Sequence, residues 1–186
     1  MNCPVCKKET LAKHQLEADL PAYQCTDCGG IWISALQYWE WIKGREEGPP
    51  DLTADVERPI PIEEAAQAKL CPESGHILRR YKVWPDVKFY LDRCGSCSGL
   101  WFDRDEWDYL RSHEQHDDVH IFFTDMWQEK LTAEEARRRF ERMYLDRFGA
   151  EDYRRIQEIR AWLHQHPLGS ALLAYLTDKD PYRAVS

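Results

Sequence analysis

Two stretches of this sequence follow one pattern: Cys25-Thr26-Asp27-Cys28-Gly29-Gly30-Ile31-Trp32 and Cys94-Gly95-Ser96-Cys97-Ser98-Gly99-Leu100-Trp101. A shift of 69 positions, from residue 25 to residue 94, superposes both cysteines, the second glycine and the tryptophan. Because the match continues beyond the cysteines, chance is a poor explanation, and a repeat of this kind determines the fold. The chain therefore contains an internal repeat.

Each repeat also opens with a cysteine turn upstream of the quoted stretch. The first turn is Cys3-Pro4-Val5-Cys6, and the second is Cys71-Pro72-Glu73-Ser74. Two Cys-x-x-Cys pairs in one small unit are typical of zinc, because each turn presents two sulfurs to one tetrahedral ion. A unit of about 40 residues needs such a cross-link, and zinc binding supplies roughly 10–16 kcal/mol in small peptides. Gly29 and Gly75 are expected to take the positive φ of these turns.

Between and after the cysteine turns, alternating and capped segments predict a β-hairpin, a third strand and a short helix in each repeat. The hairpin of the first repeat is predicted at residues 10–16 and 22–25, around Leu20-Pro21, and that of the second at 77–83 and 87–94. Ser34 with Gln37, and Asp103 with Glu106, have the spacing of a helix-capping box. Gly44 is expected to end the first helix.

The Cys-Pro-x-Cys opening and the Cys-x-x-Cys-Gly-Gly-x-Trp centre of the first repeat resemble the TFIIB-type zinc-ribbon family. The resemblance covers residues 3–42 and 71–110, which is fewer than half of the 186 residues. It implies a zinc-ribbon fold in each repeat. It does not imply one activity, because this fold serves several functions.

The predicted metal ligands form two sets, with one zinc ion expected in each. The first set is Cys3, Cys6, Cys25 and Cys28. In the second repeat Ser74 stands where the pattern has cysteine, and Ser is a poor zinc ligand. His76 lies two residues further on, so the predicted second set is Cys71, His76, Cys94 and Cys97. The alternatives are a metal-free site, a site with three cysteines, and iron in a rubredoxin-like site.

The fold predicted from these patterns is a small, metal-dependent α+β protein with two tandem zinc ribbons and a C-terminal all-α segment. The predicted bounds are 1–44 for ribbon 1, 45–69 for an acidic, proline-rich linker, 70–114 for ribbon 2 and 115–186 for the helical region. In the helical region, Thr132 and Glu135 have capping-box spacing, and Gly149 and Pro167 are predicted to end helices.

Charge and hydropathy limit the classes of function. The net charge is −8, with −6 in residues 1–110 (13 Lys+Arg against 19 Asp+Glu) and −2 in residues 111–186 (12 against 14). Nucleic-acid binding by the isolated chain is therefore not expected, because affinity for phosphates comes from Lys and Arg. No apolar run is long enough to span a membrane, and no apolar signal segment is present, so the expected location is the cytoplasm.

Several further features have a functional and a structural explanation. His113, His116 and His120 could form a metal face or a solvated stretch, and the arginines at 137–139 could bind phosphate or form ion pairs along a helix. Many of the eight tryptophans are expected in the core, and one or two at a protein-binding surface. A redox site is less expected, because thioredoxin-like activity uses one Cys-x-x-Cys pair in a different fold.

Three hypotheses of function follow from these observations. The first is a non-enzymatic protein-interaction or adaptor module with structural zinc sites and a protein partner. The second is a nucleic-acid-associated zinc-ribbon factor. The third is an enzyme that uses a free thiol or an open zinc ion, although the sequence places no general base beside such a zinc.

Overall fold

The computed structural model describes residues 1–43 and 67–183. Gly44 and most of the predicted linker lie outside the described residues. The chain forms two compact units, Met1–Glu135 and Ala136–Ser186. The first unit thus contains both repeats and extends past residue 114, where the sequence predicted the end of ribbon 2.

The described part of the first unit is organised around a six-stranded antiparallel sheet with the order β1-β2-β3-β6-β5-β4. Its strands are β1 (Leu11–Glu17), β2 (Leu20–Cys25), β3 (Ile31–Ile33), β4 (Leu78–Lys82), β5 (Tyr90–Cys94) and β6 (Leu100–Phe102). Each repeat contributes a hairpin and a third strand, as predicted. The two repeats are joined through β3 and β6, so their ribbons form one continuous sheet.

Two details of the hairpins differ from the sequence prediction. The first hairpin turns at Ala18 and Asp19, whereas Leu20 and Pro21 belong to β2. Leu20 is fully buried, and this burial places it in the sheet and not at a turn. In the second hairpin, the strands are shorter than the predicted 77–83 and 87–94: β4 begins at the buried Leu78, after the exposed Ile77, and β5 begins at Tyr90.

Within the described part of the first unit, four helices begin: α1 (Ala35–Ile42), α2 (Glu106–Ser112), α3 (Val119–Phe122) and α4 (Asp125–Phe148). The predicted capping box of α1 is present in full, with both Ser34–Gln37 hydrogen bonds. Before α2 only half of the box forms, because Glu106 accepts from the Asp103 N–H while the Asp103 carboxylate bonds elsewhere.

The main core of the first unit lies between the sheet and these helices. It contains the aromatic residues Tyr38, Trp41, Trp84, Phe89, Phe102, Trp107, Phe122, Phe123 and Trp127. Val119, Phe122, Trp127 and Leu131 come from residues 115–186, which the sequence predicted as a helical domain or a helical hairpin packed on ribbon 2. Their burial explains why the compact unit continues to Glu135.

The second unit contains the rest of α4, followed by α5 (Ala150–Gln165) and α6 (Gly169–Thr177). Gly149 has a φ of 77° and separates α4 from α5, as predicted. Thr132 does not cap a helix. It lies inside α4, where its hydroxyl donates to the Gln128 carbonyl, because the helix already starts at Asp125.

Candidate metal centre

The first cysteine cluster is formed by two turns at one end of the hairpin. The Lys7 N–H donates to the Cys3 carbonyl, and the Gly29 N–H donates to the Cys25 carbonyl. Lys7 and Gly29 close these turns with φ of 58° and 77°. Each turn thereby directs both of its cysteine side chains toward the other turn, which is the arrangement that the repeated spacing predicted.

The sulfur atoms of Cys3, Cys6, Cys25 and Cys28 all lie within 4.8 Å of one another. The Cys3–Cys28 and Cys6–Cys25 Sγ–Sγ distances are 3.6 and 3.8 Å. A tetrahedron with Zn–S bonds of about 2.3 Å has edges of about 3.8 Å, so these sulfurs fit zinc. The residues that would hold the ion are the four predicted cysteines, and the role of zinc there is to cross-link the two turns.

Backbone amides stabilise the thiolate form of one cysteine in each site. Burial alone would raise the pKa of Cys25, but N–H groups of the turn and the Thr10 hydroxyl lower that pKa to about 6. Burial raises the pKa of Cys3 to about 11 despite the amides that it accepts from. Cys3 therefore needs a nearby cation to become a thiolate together with Cys25, as metal binding provides.

The second cluster contains three cysteines: the Sγ atoms of Cys71, Cys94 and Cys97 lie within 4.8 Å of one another. The Cys71–Cys97 distance is 3.5 Å, close to that of the corresponding pair in the first site. The second site also contains one thiol with a lowered pKa and one with a raised pKa. Burial alone would raise the pKa of Cys94, but amides of the turn and the Ser74 hydroxyl lower it to about 6, while burial raises that of Cys97 to about 12. Both clusters could therefore hold zinc.

The structure does not bring His76 to these cysteines, so its assignment as the fourth ligand is corrected. Its imidazole is exposed and lies outside the group of potential ligands, while its backbone carbonyl accepts from the Cys71 N–H. Lys8 has the same backbone role toward Cys3. The turn has the same length in both repeats, so His76 corresponds to Lys8, an exposed residue outside the first cysteine cluster. The Ser74 hydroxyl lies beside the cluster instead.

The two clusters are connected by an exchange of tryptophans that the sequence analysis did not foresee. Trp32 pairs with Trp101 across β3 and β6, and both are fully buried among the cysteines of the two sites. A Cβ on Gly30 would lie 2.2 Å from the Trp101 ring, and a Cβ on Gly99 would lie 2.2 Å from the Trp32 ring. Each glycine of the repeated pattern therefore makes room for the tryptophan of the other repeat.

A buried ionic network lies beside Trp101 in the second repeat. Lys69 donates to Asp92 at 2.5 Å and to Asp103 at 2.6 Å, and Asp103 also accepts from the Trp101 indole. All three charged residues are buried. Burial alone would lower the pKa of Lys69, but the two carboxylates outweigh it and raise that pKa. Lys69, the last residue of the predicted linker, is thus buried against the second repeat.

Each of the three histidines after α2 contacts a different residue. His120 contacts the Tyr38 hydroxyl, His116 lies 3.6 Å from Glu17, and His113 packs on Tyr109. Among the described residues, the three do not form a group that could hold a metal ion. Their contacts place them in or beside the core.

Residues 2–44 match the model of the transcription factor zinc-finger family, the TFIIB-type zinc ribbon. The match confirms the resemblance of the first repeat to the TFIIB-type zinc ribbon. The match ends before the second repeat, where Ser74 replaces a cysteine. No curated protein and no solved structure matches the chain.

Among the described helices, none combines the length and the apolar character that a bilayer-spanning segment requires.

Proposed function

We propose that this chain is a non-enzymatic interaction module. Zinc stabilises the fold of the ribbons, and the C-terminal helices bind a protein partner. The observation that carries the proposal is the surface of the second unit. Along the described residues 132–183, no residue is buried. Three helical segments therefore present apolar side chains to solvent.

These apolar side chains are large and regularly spaced. In α5, Ile156, Ile159 and Trp162 are 47%, 48% and 51% exposed. In α6, Leu173 and Leu176 are 52% and 59% exposed. A groove of about 640 Å³ between these helices is lined by Ile156, Ile159, Leu163, Leu173 and Leu176. An apolar surface of this kind is typical of a binding site, because helices gain most of their stability from burying it.

The charge of the second unit indicates what the partner presents. Residues 136–186 carry 10 Lys+Arg against 7 Asp+Glu, which is +3, while residues 1–135 carry 15 against 26, which is −11. Divided at the boundary of the compact units, the C-terminal part is thus basic. The partner that fits is a protein with an apolar patch and acidic side chains beside it, because acidic groups complement Arg160 in the groove and the net positive charge of the unit.

The same basic charge supports nucleic-acid binding as the second candidate function. Several arginines, however, form ion pairs along the helices, including Arg137–Glu141 and Arg154–Glu158. These carboxylates weaken the attraction of the arginines for phosphate groups. The exposed apolar side chains, in turn, do not contribute to non-specific binding of phosphates. The enzyme hypothesis has no comparable support, because the cysteines that could act as nucleophiles are those that would bind zinc.

The test begins with the tagged, zinc-loaded full chain and a double variant, Ile159→Glu with Trp162→Ala, as baits in lysate of the source cells. Gln157→Ala, an exposed polar position on the same helix, is the control. A protein retained by the wild type and the control but not by the double variant is then purified, and its affinity is measured by calorimetry. We expect the double variant to bind at least about 10-fold more weakly, since hot-spot aromatics contribute 2 kcal/mol or more.

Three results would contradict the proposal. Binding that is unchanged in the double variant would place the interface elsewhere. Concentration-dependent dimerisation in analytical ultracentrifugation, lost in the double variant, would make a second copy the occupant of the groove. Saturable, salt-sensitive binding of DNA or RNA below about 1 μM in fluorescence anisotropy would favour the nucleic-acid hypothesis.

A further inference from the structure

The two metal sites differ at one position, and the rest of the turn is the same in both. In the first site the Cys6 N–H donates to Cys3 Sγ at 3.3 Å, and in the second the Ser74 N–H donates to Cys71 Sγ at 3.3 Å. Lys7 and Gly75, which follow them, have φ of 58° and 72°. Ser74 therefore occupies the position of Cys6, and its side chain starts from the same backbone.

The Ser74 hydroxyl also takes the place of the fourth sulfur. Its Oγ lies 3.3 Å from Cys94 Sγ, while in the first site Cys6 Sγ lies 3.8 Å from Cys25 Sγ. The shorter distance reflects the smaller oxygen atom on the same edge of the tetrahedron. The Ser74 oxygen therefore lies on the side of the second cluster where Cys6 completes the first cluster.

A serine hydroxyl is a weaker zinc donor than a thiolate. Its oxygen is a hard donor, whereas zinc in such sites prefers the polarisable sulfur of a thiolate. The position is also accessible: Ser74 is half-buried, Gly75 is exposed, and no atom lies within 4 Å of the direction in which a Gly75 side chain would project.

We infer that the second site is a three-thiolate zinc site whose fourth donor is the Ser74 hydroxyl, and that this position accepts a thiolate from outside the chain. In the exchange, an external thiol loses its proton to solvent, its sulfur binds zinc, and the neutral Ser74 hydroxyl is released. No electron is transferred. The first site, with four thiolates of its own, does not accept such a ligand.

Two single variants test this inference by giving each site the ligand set of the other site. Ser74→Cys gives the second site four cysteines, and Cys6→Ser gives the first site three cysteines and a hydroxyl. His76→Ala is the control for the alternative ligand. In the full chain loaded with zinc, release to a colorimetric chelator should have two phases, with the fast phase at least about 10-fold faster, because even loss of an outer-shell contact lowers metal affinity 10–100-fold.

The expected release pattern distinguishes the sites. Ser74→Cys should abolish the fast phase, Cys6→Ser should make both zinc ions leave fast, and His76→Ala should match the wild type. Indistinguishable release from wild type and Ser74→Cys would overturn the inference, and so would one zinc per wild-type chain. Slower or incomplete zinc loading in His76→Ala alone would restore histidine as the ligand.

Cobalt substitution tests the external ligand directly. The intensity of the sulfur-to-cobalt charge-transfer band follows the number of Co–S bonds, which is seven in the wild type because the described chain has seven cysteines in the two clusters. Addition of 2-mercaptoethanol should raise this band by about one-seventh, as the eighth Co–S bond forms. Ser74→Cys should start at that higher intensity and not respond. An unchanged wild-type spectrum would refute the exchange.

Discussion

Trp32 and Trp101 lie opposite each other in the β3–β6 pair, and each indole packs against the glycine that precedes the tryptophan of the other repeat. The Trp32 indole donates to Glu73 in the cysteine turn of the second repeat. Each ribbon therefore contributes a buried tryptophan, from β3 or β6, to the core beside the cysteine cluster of the other ribbon. Folding of either site is expected to depend on both.

Gly30→Ala tests this exchange. The new methyl group would lie 2.2 Å from the Trp101 ring, so the ring must move or the strands must separate. Overpacking of this kind costs about 1–3 kcal/mol or more. Chemical denaturation, followed by the tryptophan fluorescence, should show a free energy of unfolding lowered by at least about 1 kcal/mol.

Gly95→Ala is the matched control, because its Cβ would meet its nearest neighbour, Arg79, at an ordinary 3.7 Å. The double variant Gly30→Ala with Trp101→Leu should lose less free energy of unfolding than the two single variants lose in sum. The reason is that the smaller leucine side chain leaves room for the new methyl group. Additive effects would show that Gly30 and Trp101 do not interact.

Zinc removal should unfold the ribbons. Elemental analysis of protein purified without added metal is expected to give two zinc ions per chain, one for each cysteine cluster. Thiol titration of the native protein should remain near zero until a strong chelator is added, because metal-bound thiolates are blocked as nucleophiles. Folded protein without zinc, or several reactive cysteines in zinc-loaded protein, would argue against structural zinc.

Lys69→Met should destabilise the first unit strongly. The variant leaves Asp92 and Asp103 buried without their cation, and breaking a buried pair in this way costs about 3–5 kcal/mol. Arg111→Ala, which breaks the exposed Arg111–Asp108 pair, should cost about 1 kcal/mol or less. Replacing Asp92 and Asp103 by Asn in the Lys69→Met background should recover part of the loss, because it removes the uncompensated charges.

Glu106 predicts a pH dependence of stability. Burial raises the pKa of this carboxyl well above its usual range, helped by the nearby Asp103 carboxylate. Below about pH 4.5 Glu106 is protonated in both states and contributes no slope. Above it, only the folded state keeps the proton, so stability falls as pH rises toward the folded pKa, by at most about 1.4 kcal/mol per pH unit.

Glu106→Gln should remove this contribution, because it places in the second repeat the residue that Gln37 supplies in the first. The difference in unfolding free energy between variant and wild type is measured from pH 6 to 8, where zinc remains bound. The variant should have the larger free energy of unfolding, and the difference should grow with pH until the wild-type carboxyl ionises. A constant difference over this range would mean that Glu106 is already charged in the folded protein.

The second unit should exchange its amide hydrogens much faster than the sheet. Its helices bury no residue within the described range 132–183, so local opening costs little. Hydrogen-exchange mass spectrometry of the free chain should show early exchange in α5 and α6 and late exchange in β3 and β6. Strong protection of α5 without a partner would contradict the solvent-exposed helices and the proposed interaction surface.

The repeated pattern was sufficient to predict much of the fold. Cysteine spacing, alternation and the Ser34–Gln37 capping box are local signals, and they placed the hairpins, third strands and first helices. The sequence around Ser74 did not identify the fourth donor of the second cluster. In the sequence, His76 is the nearest zinc-binding residue type to the missing cysteine. In the structure, the turn places the Ser74 hydroxyl beside Cys94, and the His76 imidazole is exposed.

What the sequence determined by itself is the set of seven cysteines that form the two clusters, because their repeated spacing needs only local backbone geometry to bring each turn together. The tertiary structure alone decided how the repeats combine. The partner of each Gly-x-Trp is the other repeat, and the partners of Lys69 are two carboxylates at positions 92 and 103. Such contacts join segments far apart in sequence, and they depend on burial that no local pattern reports.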